Sequence, residues 1–269
     1  MLMTVTDKFS MRRLWLVTRL HASTVWRLLA DYAVISFVAG VLFMVQSASG
    51  HGISTLLIMA PLFYVALAFG PLVFASEKGL LIQTALPATG WEKTAVYFIY
   101  VFIVMPAALL LPFTLCMAVG ISIAGADATD LLLFVDILTT YAHVNPAYCV
   151  LAPAVPMAVC LLGVNAFRHR RGTYSFLASL GTVFCLQVLN AVDFGFVLHG
   201  LYDMKVIGHS IYSVADNAEL FTDMAHAIAA YPGLIGGCST FGMCENTALA
   251  VIFAGLLLAI YRTIKNRQI

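Results

Sequence analysis

Six apolar segments, each long enough to cross the hydrocarbon core of a bilayer, constrain this chain more than any other feature. A spanning helix needs about 20 mostly apolar residues. Segments of that kind run from Leu28 to Ala48, Ile53 to Ser76, Ala95 to Ala124, Ala147 to Phe167, Thr173 to Leu198 and Thr247 to Ile264. Only 10% of the 269 residues are charged and 62% are hydrophobic, whereas about a quarter of an ordinary soluble domain is charged. A soluble core is excluded on that ground, because a folded domain lacks the interior to hide so much apolar side chain. The pieces between the segments are too short to hold an ATPase or cofactor-binding domain. The expected fold is therefore all-α and integral to the membrane, one domain over 1–269 with six transmembrane helices.

Orientation follows from the connections, since loops on the cytoplasmic side keep Lys and Arg. Lys8, Arg12, Arg13, Arg19 and Arg27 precede the first segment; Lys78 and Lys93 follow the second; Arg168, Arg170 and Arg171 follow the fourth; Arg262, Lys265 and Arg267 end the chain. These are 13 of the 14 basic residues. The alternate connections hold Lys205 alone, against Asp127, Asp130, Asp136, Asp203, Asp216, Glu219, Asp223 and Glu245. Both termini are expected in the cytoplasm. The basic arm is too long for a secretory n-region, and removing the first segment would leave an odd number of spans, so cleavage is not expected.

Three connecting pieces carry patterns of their own. In the cytoplasmic arm 1–27, the stretch Met11 to Leu29 places Leu14, Trp15, Val17, Ala22, Val25, Trp26 and Leu29 on one helical face, with Arg12, Arg13, Arg19, Ser23 and Arg27 opposite. Leu16 and Leu20 are exceptions to it. This is the pattern of an interfacial amphipathic helix attracted to anionic lipid, or of a helical extension of the first span packed on protein. In the loop 77–94, the apolar run Leu80, Leu81, Ile82, Ala85 and Leu86 stops at Pro87, and Thr89-Gly90-Trp91-Glu92 has capping-box spacing. A new helix is expected to start at Thr89 and enter the third span. In the external loop 199–246, Ser213 to Tyr231 reads as an amphipathic helix ended by Pro232-Gly233. Cys238 and Cys244 lie in that loop and are expected to pair if it faces an oxidising compartment.

Polar groups inside spans are candidates for function, because burying them in hydrocarbon costs free energy. Gln187, Asn190 and Asp193 form a stripe at spacing three in the fifth span, expected to line a passage or a dimer seam, or to bond neighbouring helices. Asp31, four residues from Arg27, reads as half of an interfacial ion pair. Pro106 and Pro112 are expected to kink or tilt the long third segment. His143 and His199 have no partners at ligand spacing, so no metal site is expected. There is no G-x-x-x-x-G-K-[ST] phosphate loop, H-E-x-x-H pair or G-x-S-x-G elbow. No catalytic site is recognisable. Leu86-Pro87-Ala88-Thr89-Gly90 copies a cell-wall sorting signal, and Asp193-Phe194-Gly195 a kinase triplet, each without its required context. Asp193 and Asp203 lack the G-x-G-D of an intramembrane aspartyl protease.

The whole arrangement resembles the membrane subunits of bacterial ABC type-2 transporters, the type V exporters. Those have six spans, an amphipathic helix before the first, a short coupling loop between the second and third, and their longest external segment between the fifth and sixth. Thr84-Ala85-Leu86-Pro87-Ala88-Thr89-Gly90-Trp91-Glu92-Lys93 is similar to their Leu-Pro-small-Ser/Thr-x-x-Glu segment followed by Lys, although Gly90-Trp91 departs from it. The resemblance implies a permease domain in the bacterial inner membrane that pairs with a second copy or paralogue. It also implies a separate cytoplasmic ABC ATPase carrying ATP and Mg, with no cofactor, nucleic acid or enzyme activity in this chain. The path between subunits would be lined mainly by the second and fifth spans. Leu81, Leu86, Pro87, Thr89, Trp91, Glu92 and Lys93 are then the expected coupling residues, with Leu81, Leu86 and Trp91 anchored in the ATPase and Glu92 and Lys93 at the rim. A six-span scaffold or accessory subunit, and an intramembrane enzyme using Asp193, His143 or His199, are the alternatives.

Overall fold

A computed structural model describes residues 10–48, 52–76, 88–124, 146–167, 169–203 and 232–266, with backbone alone at 47–48, 52–60, 121–124, 146, 190–203 and 232–245. Among the described residues the chain is helical and contains no strand. Helix α1 spans Met11–Ala48, and α2 spans Gly52–Phe69 and tightens into a 3₁₀ segment over Gly70–Ala75. Helix α3 runs as Gly90–Ile99, a π-helical turn Tyr100–Val104, and Met105–Ala124. Helices α4, α5 and α6 span Pro146–Ala166, Arg171–Asp203 and Pro232–Asn266. Helices α1, α3, α4, α5 and α6 each contain an apolar stretch long enough to cross a membrane; in α2 the apolar helix with described side chains covers Pro61–Ala75. The chain is a multi-pass membrane protein.

Side-chain contacts fix how the helices point. Helices α1 and α3 run parallel: Tyr100 Oη donates to the Thr18 carbonyl at 2.8 Å, and Phe113 N–H donates to Ser36 Oγ at 3.0 Å. Further along, a Cβ on Gly40 would lie 2.6 Å from Cys116 Cβ, and one on Gly120 would lie 3.0 Å from Met44 Cγ. Helix α2 returns antiparallel to α1, with Tyr32 Oη donating to the Ala66 carbonyl and His21 meeting Phe74. Helices α4 and α5 are antiparallel, since Gly163 faces Ser175 while Ser179 donates to the Pro156 carbonyl. Helix α6 runs parallel to α4: Leu249 packs with Tyr148 and Ala152, and Ile260 and Ile264 with Leu161 and Val164. The six helices thus alternate in direction. The start of α1, the start of α3 and the end of α6 share one end of the bundle, which also carries Arg12, Arg13, Lys93, Arg170, Arg171, Arg262 and Lys265.

The arm before the first span continues into it as one helix of 38 residues, the helical extension given above as one of two forms. Val17, His21 and Val25 are buried, and Leu14, Ala22 and Leu29 of the expected face pack against the same core, while Trp15 and Trp26 of that face, with Leu16 and Leu20, are exposed. Pro106 disturbs α3 locally without ending it. The missing N–H of Pro106 leaves the Phe102 carbonyl without its usual donor, and the helix widens into the π-turn immediately before it. Ser36 is wedged into the same helix, bonding both the Leu109 carbonyl and the Phe113 N–H, which are ladder partners four residues apart. Within the stretch 199–246, α5 continues to Asp203 and α6 starts at Pro232. The amphipathic helix expected over Ser213 to Tyr231 lies outside the described residues.

Candidate functional site at the basic end of the bundle

The third helix starts where the sequence places it. Thr89 is the N-cap, its Oγ1 accepts from Glu92 N–H at 3.3 Å, and Glu92 Oε2 accepts from Thr89 N–H at 2.9 Å. This reciprocal box satisfies two backbone donors that a helix start otherwise leaves open. The other oxygen of Glu92 reaches across to α1, where Oε1 accepts from Ser10 N–H at 2.7 Å and from Arg13 Nε at 3.2 Å. Arg13 Nη2 lies 3.2 Å from the same oxygen. One carboxylate therefore caps two helices whose starts are 79 to 82 residues apart in sequence.

Glu92 is wholly buried and lies in the first turn of α3, ahead of the apolar run from Ala95. Burial by itself would raise its pKa. The hydrogen bonds from Thr89 and Ser10 N–H, with the charge and hydrogen bond of Arg13, outweigh burial and hold the carboxyl below its ordinary 4.5. Glu92 and Lys93, expected at the rim of a partner contact, are both buried in this chain.

Trp91, by contrast, points outward. It is 62% exposed and stacks on Tyr261 of α6, ring centroids 4.3 Å apart. Gly90 lets the two helices close: a Cβ there would sit 3.5 Å from both Lys265 Cβ and Tyr261 Cε2. The start of α3 is thus gripped by α1 through Glu92 and by α6 through Trp91 and Gly90. Leu81, Leu86 and Pro87 lie outside the described residues.

Behind this cluster is a residue that the sequence reading passed over. His21 is buried between Phe74 and Tyr97, with ring centroids at 5.5 and 5.2 Å, so the ends of α2 and α3 meet on it. Its Nδ1 has no hydrogen-bond partner among the described residues. The four-residue steps from Val17 to His21 to Val25 were the available signal.

The polar stripe of the fifth span does not join this cluster. Gln187 is exposed on α5, and Asn190 and Asp193 belong to the same continuous helix with only their backbone described. Arg27 and Asp31 are both exposed and form no ion pair with each other. The helix of α6 passes through Cys238 and Cys244. Only the backbone is described at these two positions. Compared with models of known protein families, with curated protein sequences and with solved structures, the chain finds no match in any of the three.

Proposed function

We propose that this chain is the membrane-spanning subunit of an ATP-driven transporter, crossing the bacterial inner membrane six times with both termini in the cytoplasm. In this reading a separate ABC ATPase binds its basic end, carrying the ATP and Mg, and the chain works as an exporter paired with a second copy or a paralogue. Three features support it: the segregation of basic residues, the alternation of six helices, and the resemblance of residues 84–93 to a coupling segment.

The observation that carries the reading is how the turn from Glu77 to Pro87 is mounted. On one side it follows Phe74, buried against His21 and Tyr97; on the other it enters the Thr89–Glu92 box, tied to Arg13, Ser10 and the end of α6. A push on this turn is delivered to α1, α2, α3 and α6 together, which suits a lever better than a tether. Trp91 on the first turn of α3 is exposed, the kind of aromatic anchor that dominates protein contacts.

Leu86→Asp tests the reading. The substitution is expected to release the ATPase during purification and to uncouple ATP hydrolysis from transport, with membrane insertion intact. Retention of the ATPase with full activity would favour the scaffold reading, which draws its own support from Glu92 and Lys93 being spent on intrachain contacts.

A further inference from the structure

Asp31 occupies an unexpected depth. The neighbouring Tyr32 donates to the Ala66 carbonyl, while Ser179 donates to the carbonyls of Ala68 and Pro156, both at 3.2 Å. A Cβ on Gly70 would meet Tyr32 Oη and Met105 Sδ. Tyr32, Ala66 to Gly70, Met105, Pro156 and Ser179 thus form one layer of the bundle. On α5 this layer lies eight residues beyond Arg171, about 12 Å along the helix, and the side chains exposed beside it are Leu177, Leu180 and Ile103. Apolar side chains turned outward at that level suit hydrocarbon.

In that layer and one turn below it, α1 turns Asp31 and Arg27 outward, away from the rest of the chain. Charges facing lipid at such depth cost free energy unless something polar covers them. The same face continues with Val34, Val38 and Val41, all exposed. From Arg27 the steps are four, three, four and three residues, the 3.5-residue period of a helix seam. Branched side chains along such a seam suit a parallel left-handed crossing, the usual geometry between membrane helices.

We propose that this face of α1 seats a second copy of the same chain, with Arg27 of each copy paired to Asp31 of the other. The pair is self-complementary, as a two-fold interface requires, because each copy supplies one charge of either sign. One charged layer beneath an aliphatic seam also fixes register, the best-attested use of polar groups in such contacts. The proposal deepens the transporter reading by naming the seam, but its test needs no ATPase, so the two fail separately.

The test is disulfide trapping in native membranes with Val34→Cys, the parent chain with its own cysteines giving the background. A cross-linked dimer of this chain well above that background is expected. Arg27→Asp and Asp31→Arg, each combined with Val34→Cys, should lower cross-linking about tenfold, because each alone sets like charges against each other. Co-expressed under different tags, the two variants should cross-link to one another within about twofold of the charge-unmodified chain, since the mixed pair restores both contacts. An ion pair closed within one chain gives no such rescue. Val38→Trp, which lipid accommodates and a close seam does not, should also abolish trapping and covers the case in which the charge variants fail to fold. No cross-link at residue 34, cross-linking to a different protein, undiminished trapping in Val38→Trp, or properly inserted single charge variants whose mixture stays uncross-linked would overturn the proposal.

Discussion

Arg13 holds Glu92 across 79 residues of sequence, Nη2 to Oε1 at 3.2 Å, and so locks the first turn of α1 to the first turn of α3. Removing the carboxylate leaves Thr89 N–H, Ser10 N–H and the guanidinium without their acceptor. Glu92→Ala is therefore expected to destabilise the chain by about 2–3 kcal/mol, the cost of stranding buried partners discounted for the part-exposed Arg13. Glu92→Gln keeps an acceptor for the cap and should cost about half as much. Apparent melting temperature in detergent, scanned at one rate, should rank wild type above Gln above Ala; equal melting for all three would show that the contact contributes nothing.

The same residue sets a pH dependence. Its folded-state pKa lies below its ordinary 4.5, so its stabilisation is fully present above that value and is lost as pH falls through the lower, folded one. The melting difference between wild type and Glu92→Gln should stay constant from pH 7 down to about 5 and shrink below that. A difference that widens on acidification would reverse the sign and contradict the assignment.

Close helix approach gives a third expectation. A Cβ on Gly163 would sit 2.6 Å from Ser175 Oγ and 3.0 Å from its Cα, a backbone atom that moves only if α4 and α5 separate. Gly163→Ala should lower stability by about 1–3 kcal/mol through overpacking. At Gly181 nothing lies within 4 Å, so Gly181→Ala should be neutral or slightly stabilising, as alanine favours a helix interior. Thermal scans of the two variants side by side decide this, and equal losses would count against the α4–α5 contact.

Topology is open to direct measurement. With six alternating helices and the basic end inward, reporters fused after residues 50, 135 and 220 should be active only when the reporter requires the periplasm, and fusions at either terminus only when it requires the cytoplasm. Cytoplasmic activity at 220 would break the six-span arrangement.

The apolar helices and the Thr89 cap are legible in the sequence because both are local: an apolar run and a four-residue spacing need no distant partner. Glu92 shows what was not legible. Its role as cap of α3 follows from Thr89, but its grip on Ser10 and Arg13 depends on α1 and α3 running parallel, which no local pattern encodes. On α1 the two tryptophans part from the rest of the apolar face, whose Val17 and Val25 are buried. In water an apolar stripe must be covered by protein, whereas in a bilayer lipid covers it equally well. Trp15 and Trp26 therefore mark an outer surface, and His21, polar by composition, sits in the core between two rings.

The central claim is that a separate ATPase works through the turn between α2 and α3. Its most direct test is to purify the unmodified chain from its native membrane in mild detergent and identify what accompanies it. The account predicts a chain with a phosphate-binding loop in one-to-one ratio, its ATP hydrolysis lost on vanadate treatment; a chain that purifies with no ATP-binding partner would contradict it.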